Sequence, residues 1–207
     1  MKFKNLPAII LSLALVLTLT ACGSDPMPEP QPNPIPEFIE IGDVIQFGAF
    51  DWRVLDVQDG MALVISEDII EHRPYHVNVG DITWEHSTIR QYLNGDFYNS
   101  FSSAEQERIV ETTIINNDNP NHGTAGGNDT TDNIFLLSID EAEMYFPNDT
   151  SRIAVDADGE SHWWWLRSPG FSSISAADVI DYGDVNVGGN FADIDNGGVR
   201  PALWLNL

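Results

Sequence analysis

Histidine and acidic side chains at a spacing that could ligate a metal ion first occur between residues 72 and 86. His72 and His76 form an H-x-x-x-H pattern, and Glu85 and His86 follow. Two histidines four residues apart chelate one ion when the segment is helical. Pro74 stands between them and disfavours a helix. The pattern therefore favours turn or surface histidines over a metal site.

A second group of potential ligands lies in the loop 116–132, "NNDNPNHGTAGGNDTTD". Its carboxylates are Asp118, Asp129 and Asp132, and hard cations such as calcium take oxygen ligands on flexible backbone. A calcium site at these three residues is one interpretation, although their spacing does not match an EF-hand loop. The other, which we favour, is a loop held by Asx turns and caps. No further cofactor is expected.

No nucleophile with a neighbouring base can be identified in the chain. Patterns of the G-x-S-x-G, H-E-x-x-H, Walker and Rossmann types are absent from the sequence. A hydrolase or modifying enzyme would need polar groups such as Glu85, His86, Arg90 and Arg167 to converge in one pocket. No catalytic residue is therefore predicted.

Three consecutive tryptophans, residues 163–165, offer an aromatic surface. On a strand, Trp163 and Trp165 point to one face and Trp164 to the other. We expect core packing for at least one face, which leaves the other as a candidate binding platform.

Residues 171–196, "FSSISAADVIDYGDVNVGGNFADIDN", use only nine amino-acid types. If Val179, Val185 and Val187 point into the core, strand alternation sends the residues between them outward. Exposed Ile, Tyr and Phe beside Asp and Asn are typical of adaptable binding surfaces. The predicted ligand-binding residues are Phe171, Ile174, Asp178, Ile180, Tyr182, Asp184, Asn186, Asn190, Phe191 and Asp193.

The N-terminus indicates how this surface is held at the cell. Lys2 and Lys4 precede an apolar run that ends in "LTAC", which is typical of a lipoprotein signal peptide, residues 1–21. The run is short for a transmembrane span of about 20 residues. Cys22, the only cysteine, is predicted to carry the lipid. Membrane contact is thus expected only through this anchor, on the extracytoplasmic side.

A proline-rich segment follows the lipidated cysteine. Six prolines alternate with other residues between positions 26 and 36, which favours an extended polyproline II conformation. We therefore assign residues 22–37 to the lipidated cysteine and a proline-rich linker, and residues 38–207 to a single folded domain.

The net charge of the chain excludes one class of binding partner. After removal of the signal peptide, seven arginines face 32 acidic residues, a formal charge of −25. Such a surface repels phosphate backbones and anionic headgroups, so no nucleic-acid partner is expected. A protein or glycan ligand at the cell surface is expected instead; a purely structural envelope lipoprotein is the remaining alternative.

The patterning from residue 38 onward predicts an α+β domain of antiparallel strands and hairpins with a few short helices. Segments 43–48, 52–58 and 61–66 are predicted strands, the last two joined by an Asp59-Gly60 hairpin turn. Capping boxes predict helices after Ser102 and Ser138, and Ser87 or Thr88 is expected to cap a helix that stops at Asn94-Gly95. "NIFLLS", 133–138, reads as a strand. "YGD", "GGN" and "DNGG" are predicted turns in the tail.

Five motifs in this order resemble the bacterial family called domain of unknown function 6273. They are "W-x-V-L" at 52–55, "TWEHSTIRQYLN" at 83–94, "GGNDTTDNIFLLSIDEAE" at 126–143, "WWLRSPG" at 164–170 and "GVRPALWL" at 198–205. The family is similar to the C-type-lectin-like fold of formylglycine-generating sulfatase modifiers and of retroelement variable proteins. The resemblance implies a C-type-lectin-like display module. The formylglycine generators act through paired cysteines, which the mature chain lacks.

The resemblance also offers a cause for the nine-letter segment. In retroelement variable proteins, adenines are randomised during copying, so Asn codons become any codon ending in C or T. Such codons cannot encode Lys, Glu, Gln, Met or Trp, and residues 171–196 contain none of these. Diversification by a retroelement is one hypothesis, and ordinary hairpin composition is the other.

Overall fold

Residues 38–207 are described by the computed structural model. The predicted signal peptide, Cys22 and the linker lie outside the described residues. The strands of the described part are β1 (Val44–Phe47), β2 (Phe50–Gln58), β3 (Met61–Ser66), β4 (Glu71–His72), β5 (Ile109–Val110), β6 (Thr112–Ile114), β7 (Thr130–Asp132), β8 (Ala154–Val155), β9 (Ser161–His162), β10 (Trp164–Pro169), β11 (Ser175–Val179), β12 (Val185–Phe191), β13 (Gly198–Val199) and β14 (Ala202–Asn206).

The helices between these strands are short. They are α1 (Thr88–Tyr92), α2 (Ser103–Gln106), α3 (Ile139–Tyr145) and α4 (Asp149–Arg152), with 3-10 turns at Trp84–His86 and Tyr98–Ser100 and a π-helical turn at Leu93–Phe97. Short helices interspersed among mostly antiparallel strands make this an α+β fold, as predicted.

The first sheet has the strand order β1-β2-β3-β14-β5. Strands β1, β2 and β3 form an antiparallel meander, which confirms the expectation for the start of the domain. Gln58 pairs with Met61 across a two-residue turn in which Asp59 and Gly60 have φ values of 51° and 77°. Positive φ at both central positions is the geometry that an Asp-Gly hairpin turn favours.

The second sheet has the strand order β12-β11-β10-β13-β4 and carries the nine-letter segment. Its pairs are antiparallel except for β10 and β13, which run parallel. Strands β6 and β7 pair only with each other, as do β8 and β9, so each pair forms a separate two-stranded antiparallel sheet.

Arg200 lies where the chain passes from the second sheet to the first, between β13 and β14. Its guanidinium is buried and donates from Nε to the carbonyl of Ser66 and from Nη2 to that of Glu67, both at 2.9 Å. It also lies 5.1 Å from the ring centre of Trp164 and 5.3 Å from that of Phe146. Because Ser66 ends β3 on the way to β4, one side chain joins both crossings between the sheets.

The predicted helix starts are confirmed. Ser87 accepts a hydrogen bond from the backbone N–H of Arg90 and caps α1. The boxes of Ser102 with Glu105 and of Ser138 with Glu141 both show the reciprocal side-chain and backbone bonds. Each box satisfies donors that a helix start leaves unpaired.

Three local predictions are wrong. The helix does not stop at Asn94-Gly95 but continues as the π-helical turn, because Asn94 bonds the backbone of residues 133 and 134 and Phe97 is buried. Segment 133–138 is not a strand: its residues 134–137 are buried, but it forms only an isolated bridge, Phe135 with Ala202. "GGN" lies inside β12, beside a register shift in the pairing with β11.

Candidate functional site

The hairpin β11–β12 forms one edge of the second sheet and carries many of the predicted ligand-binding residues. Its register pairs Ser175 with Phe191 at one end and Val179 with Val185 at the other. Val179 is buried, and Val185 and Val187 pack half-buried against the core, as predicted. Ser175 and Val179 are four residue steps apart along β11, which is about 13 Å of strand. The predicted residues therefore fall into one group at each end of the hairpin and a third set, Asp178, Asn186 and Asn190, between the ends.

One group, which we call the aromatic patch, consists of Phe171, Ile174, Phe191 and Asp193. The rings of Phe171 and Phe191 meet edge to face with centroids 5.9 Å apart, and the two residues are 46% and 48% exposed. The backbone N–H of Phe171 donates to the carbonyl of Gly188 at 2.7 Å, which fixes the loop to β12. Ile174 is half-buried and Asp193 is exposed. Two large apolar side chains are thus nearly half exposed to solvent, on a backbone that is held by hydrogen bonds.

The other group lies in the turn between β11 and β12. Tyr182 is 65% exposed and Asp184 is exposed, while Ile180 is half-buried. The backbone N–H of Ile180 donates to the carbonyl of Asp184, and Arg152 in α4 donates from Nε to the carbonyl of Gly183. The turn is therefore attached to α4, away from the aromatic patch.

The prediction that Asp178 faces solvent is wrong, because this residue is fully buried. Strand alternation does send it to the face opposite Val179, but that face is covered as well: its pairing partner Trp165 donates from Nε1 to the carbonyl of Arg73. Asn190 Nδ2 donates to Oδ2 of Asp178 at 2.9 Å, and Asn186 Nδ2 lies 3.3 Å from the same oxygen. Burial raises the pKa of Asp178 to about 7, against the lowering effect of the two amides. Asn186 and Asn190, both half-buried, are partners of this carboxyl.

Close packing accounts for much of the small alphabet of the segment. Ser175, Ala176 and Ala177 are buried on the central strand β11. A Cβ at Gly189, where φ is 68°, would overlap the carbonyl of Ala176, and one at Gly183, where φ is 90°, would overlap the carbonyl of Asp149. Larger residues are excluded at these positions whatever the surface binds.

A cleft of about 200 Å³ begins at Ser173, two residues from Phe171. Ser173 bonds to Asp81 through its hydroxyl and to the N–H of Ile82 through its carbonyl. The lining residues are Asp81, Ile82, Thr83, His86, Thr124, Ala125 and Ser173. The cleft extends the candidate surface beyond the hairpin, toward the loop 116–132.

The three carboxylates predicted to bind calcium have other partners. Asp118 accepts from the N–H of Gly126 at 3.0 Å, and Asp129 from that of Asn116 at 3.1 Å. Asp132 is fully buried and bonds Trp84, Arg90 and Thr130. The first two contacts bind the loop to itself, and Asn119 forms the Asx turn of the favoured interpretation, since its Oδ1 accepts from the backbone N–H groups of Asn121 and His122. Calcium binding by this loop stays a prediction.

We expect Asp132→Asn to lower the free energy of unfolding by about 3 kcal/mol. The change removes the charge that pairs with Arg90 Nε at 2.7 Å and places an amide donor against the donors of Trp84 and Thr130. Urea denaturation measures the effect, with Asp129→Asn as the control for an exposed loop carboxylate. If calcium instead raises the melting temperature of the wild type but not of Asp132→Asn, the residue is a ligand.

The four residues of the enzyme hypothesis do not converge in one pocket. Arg167 is buried, pairs with Glu141, and donates to the carbonyl of Leu136, whereas Arg90 pairs with Asp132. Glu85, His86 and Arg90 are neighbours, because His86 Nε2 lies 3.5 Å from Glu85 Oε2 and Arg90 Nη1 donates to the carbonyl of Glu85 at 3.0 Å. Glu85 also accepts from Asn128 Nδ2 at 2.9 Å, and of the four residues His86 alone lines the cleft described above. The polar side chains that the enzyme hypothesis requires are therefore engaged in ion pairs and loop contacts.

The histidines predicted from the H-x-x-x-H pattern separate. His76 donates its backbone N–H to the carbonyl of Ala192, while His72 lies in β4 beside His162 and Asp156. The ligand atoms of these three side chains all lie within 4.8 Å of one another. Sequence reasoning missed Asp156 and His162. The only local signal was the Asp158-Gly159 turn, which predicts a hairpin but does not predict that His72 lies beside it.

A cavity of about 440 Å³ lies elsewhere, between the loop at Gly42 and the segment 145–153. Its cationic residue, Arg53, already bonds the carboxylate of Glu67 and the carbonyl of Gly42. The tryptophan platform is also occupied: the rings of Trp163 and Trp165 contact each other at 4.7 Å, and Trp165 is fully buried. Neither feature has an aromatic ring as exposed as those of Phe171 and Phe191.

Comparison with known proteins gives one match. A family model described as a domain of unknown function (DUF6273) matches residues 59–207, which contain four of the five motifs and every predicted site residue except Cys22. No curated protein and no solved structure matches the chain. Among residues 38–207, no helix has the length and apolar character needed to cross a membrane.

Proposed function

The chain belongs to the family described as a domain of unknown function (DUF6273), and we propose that it is a lipid-anchored display module that binds a cationic protein at the cell surface. In this proposal the domain has a C-type-lectin-like fold and Cys22 carries the lipid. The linker to residue 37 holds the binding surface away from the membrane on the extracytoplasmic side.

The observation that carries the proposal is the aromatic patch. Phe171 and Phe191 expose nearly half of their surfaces, although each contributes apolar area that folding normally buries. Their backbone is held by β12, so little ordering is required when a partner binds. Rigid aromatic anchors of this kind are typical of the few residues that supply most of the affinity of an interface.

Charge favours a cationic protein over other ligands. Residues 171–196 contain five aspartates and no Lys, Arg or His, and the whole chain has a formal charge of −23. Asp193 is exposed within the aromatic patch, and Asp184 is exposed beside Tyr182 in the turn at the other end of the hairpin. Complementary charge around an apolar centre accelerates association and selects partners.

The proposal predicts that Phe171→Ala/Phe191→Ala weakens binding about 100-fold, because two anchors of about 1.4 kcal/mol each are removed. The full chain, purified in detergent, serves as bait for a displayed library of short random peptides. We expect enriched peptides to combine basic and apolar residues, and their affinity to fall as salt is raised. Isothermal calorimetry then compares the variant with the wild type.

Phe38→Ala is the matched control, since Phe38 is 84% exposed but lies outside the hairpins. The control should bind like the wild type. If no peptide is enriched, or if enriched peptides bind the double variant equally well, the proposal fails. If the variant instead loses binding on a panel of immobilised glycans, the patch is a glycan site and the protein partner is wrong.

A further inference from the structure

Three side chains from two separate elements meet at the far edge of the second sheet. His72 lies in the edge strand β4, and Asp156 and His162 flank the turn of the hairpin β8–β9. Their ligand atoms all lie within 4.8 Å of one another. We propose that His72, Asp156 and His162 bind a divalent transition-metal ion, with Zn²⁺ as the best match to this ligand set.

The distances fit a shared ion. His162 Nε2 lies 3.3 Å from Asp156 Oδ2, and the rings of His72 and His162 are 4.9 Å apart and inclined at 70°. In a tetrahedral zinc site with bonds of about 2.0–2.1 Å, neighbouring ligand atoms are about 3.3 Å apart. One edge of such a tetrahedron is therefore already formed, and the ligand atom of His72 lies within 4.8 Å of the other two.

The carboxylate of Asp156 is held in place by its own turn. Oδ1 accepts from the backbone N–H groups of Asp158 at 2.9 Å and Glu160 at 3.2 Å, and Oδ2 is left toward His162. Gly159, with φ of 80°, permits the tight turn that brings these donors round. Hydrogen bonds that orient a metal-ligating carboxylate are a usual feature of metal sites.

The backbones that carry the ligands are fixed relative to one another. His72 pairs with Gly198 in β13, and His162 pairs with Ala154 across the hairpin β8–β9. The hairpin is tied to the approach of β4 because the N–H of Ile69 donates to the carbonyl of Val155 at 2.8 Å. Binding would require no rearrangement of the strands.

A simple histidine–aspartate ion pair explains part of this arrangement. It accounts for the contact between Asp156 and His162. It does not explain why the imidazole of His72 lies next to the same two side chains. Two imidazoles and one carboxylate converging from different elements are the donor set of zinc and related ions, whereas calcium takes six or more oxygens. Three protein ligands also leave a coordination position open to water or to a further ligand.

The test is calorimetric titration of the full metal-free chain, without a polyhistidine tag, with Zn²⁺. We expect one ion per chain and a melting temperature raised by roughly 5–10 °C at a hundredfold excess over Kd. His72→Gln and His162→Gln should each weaken binding at least about tenfold, and Asp156→Asn should do so while keeping its turn hydrogen bonds. Titration with Co²⁺ should give the absorption bands of tetrahedral coordination.

His86→Gln is the control, because His86 is an exposed histidine outside the group. It should bind zinc like the wild type, and circular dichroism should show that all variants are folded. Zinc binding that survives His72→Gln and His162→Gln, or the absence of stoichiometric binding, overturns the proposal. Stronger stabilisation by Ca²⁺ than by Zn²⁺ that is lost in Asp156→Asn also overturns it.

Discussion

Arg200→Met is expected to lower the free energy of unfolding by about 4 kcal/mol and the melting temperature by roughly 10 °C. Methionine fills most of the space of the side chain but donates nothing to the carbonyls of Ser66 and Glu67, each bonded at 2.9 Å. A buried acceptor left unpaired costs about 1–3 kcal/mol. Loss of the contacts with the rings of Trp164 and Phe146 adds to this.

Removing the buried charge of Arg200 also removes its desolvation cost, which raises the free energy of unfolding. We expect it to be the smaller effect, because the two crossings between the sheets lose their common donor. Arg108→Met is the matched control, since Arg108 also donates to a backbone carbonyl, that of Asn206, but at the surface. It should cost less than about 1 kcal/mol in the same urea titration. Equal losses for the two variants would show that Arg200 does not join the sheets.

The second large effect is a dependence of stability on pH that Asp178→Asn removes. Burial raises the pKa of Asp178 to about 7 in the folded chain, whereas an unfolded aspartate titrates near 3.9. Between these values the folded state holds a proton that the unfolded state has lost. The contribution of Asp178 to the free energy of unfolding therefore falls as pH rises from about 4 to about 7 and is constant above that.

Asparagine carries no charge at any of these pH values, and its oxygen can still accept from Asn186 and Asn190. The difference in unfolding free energy between Asp178→Asn and the wild type should shift by about 3 kcal/mol in favour of the variant between pH 4.5 and pH 8.5. Urea titrations at the two pH values measure the shift. Asp184→Asn, an exposed aspartate of the same hairpin, should show a far smaller one. A difference that does not vary with pH means that Asp178 is ionised in the fold throughout this range.

Features that depend on near neighbours in the sequence could be predicted. The capping boxes at Ser102 and Ser138 and the Asp59-Gly60 turn each involve residues within a few positions of one another, so local propensity determines them. The α+β class follows from the same signals, because strand and helix patterns alternate along the chain.

Features that depend on contacts between distant segments could not be predicted from the sequence. Asp178 has the alternation of an exposed residue, but its face is covered where Trp165 meets the segment at Arg73. His72 and His162 are 90 positions apart in the sequence and meet only because β4 pairs with β13 beside the hairpin β8–β9. The H-x-x-x-H pattern pointed to the wrong partner for His72 for this reason.

Retroelement diversification of residues 171–196 stays a prediction, and the fold restricts its form. Gly183, Gly189 and the buried small residues of β11 cannot vary freely, so random replacement is compatible only with exposed positions such as Phe171, Tyr182 and Phe191. A near-identical DNA repeat that differs at adenines beside a reverse-transcriptase gene would support it.

The central claim is that the aromatic patch is the ligand-binding surface of this domain. The most direct measurement is the change in backbone amide NMR shifts when a peptide selected on the wild type is added to the full chain. We predict that the largest shifts occur at residues 171–174 and 188–193, next to Phe171 and Phe191. Largest shifts around the 440 Å³ cavity, at residues 41–42 and 145–153, would contradict the claim.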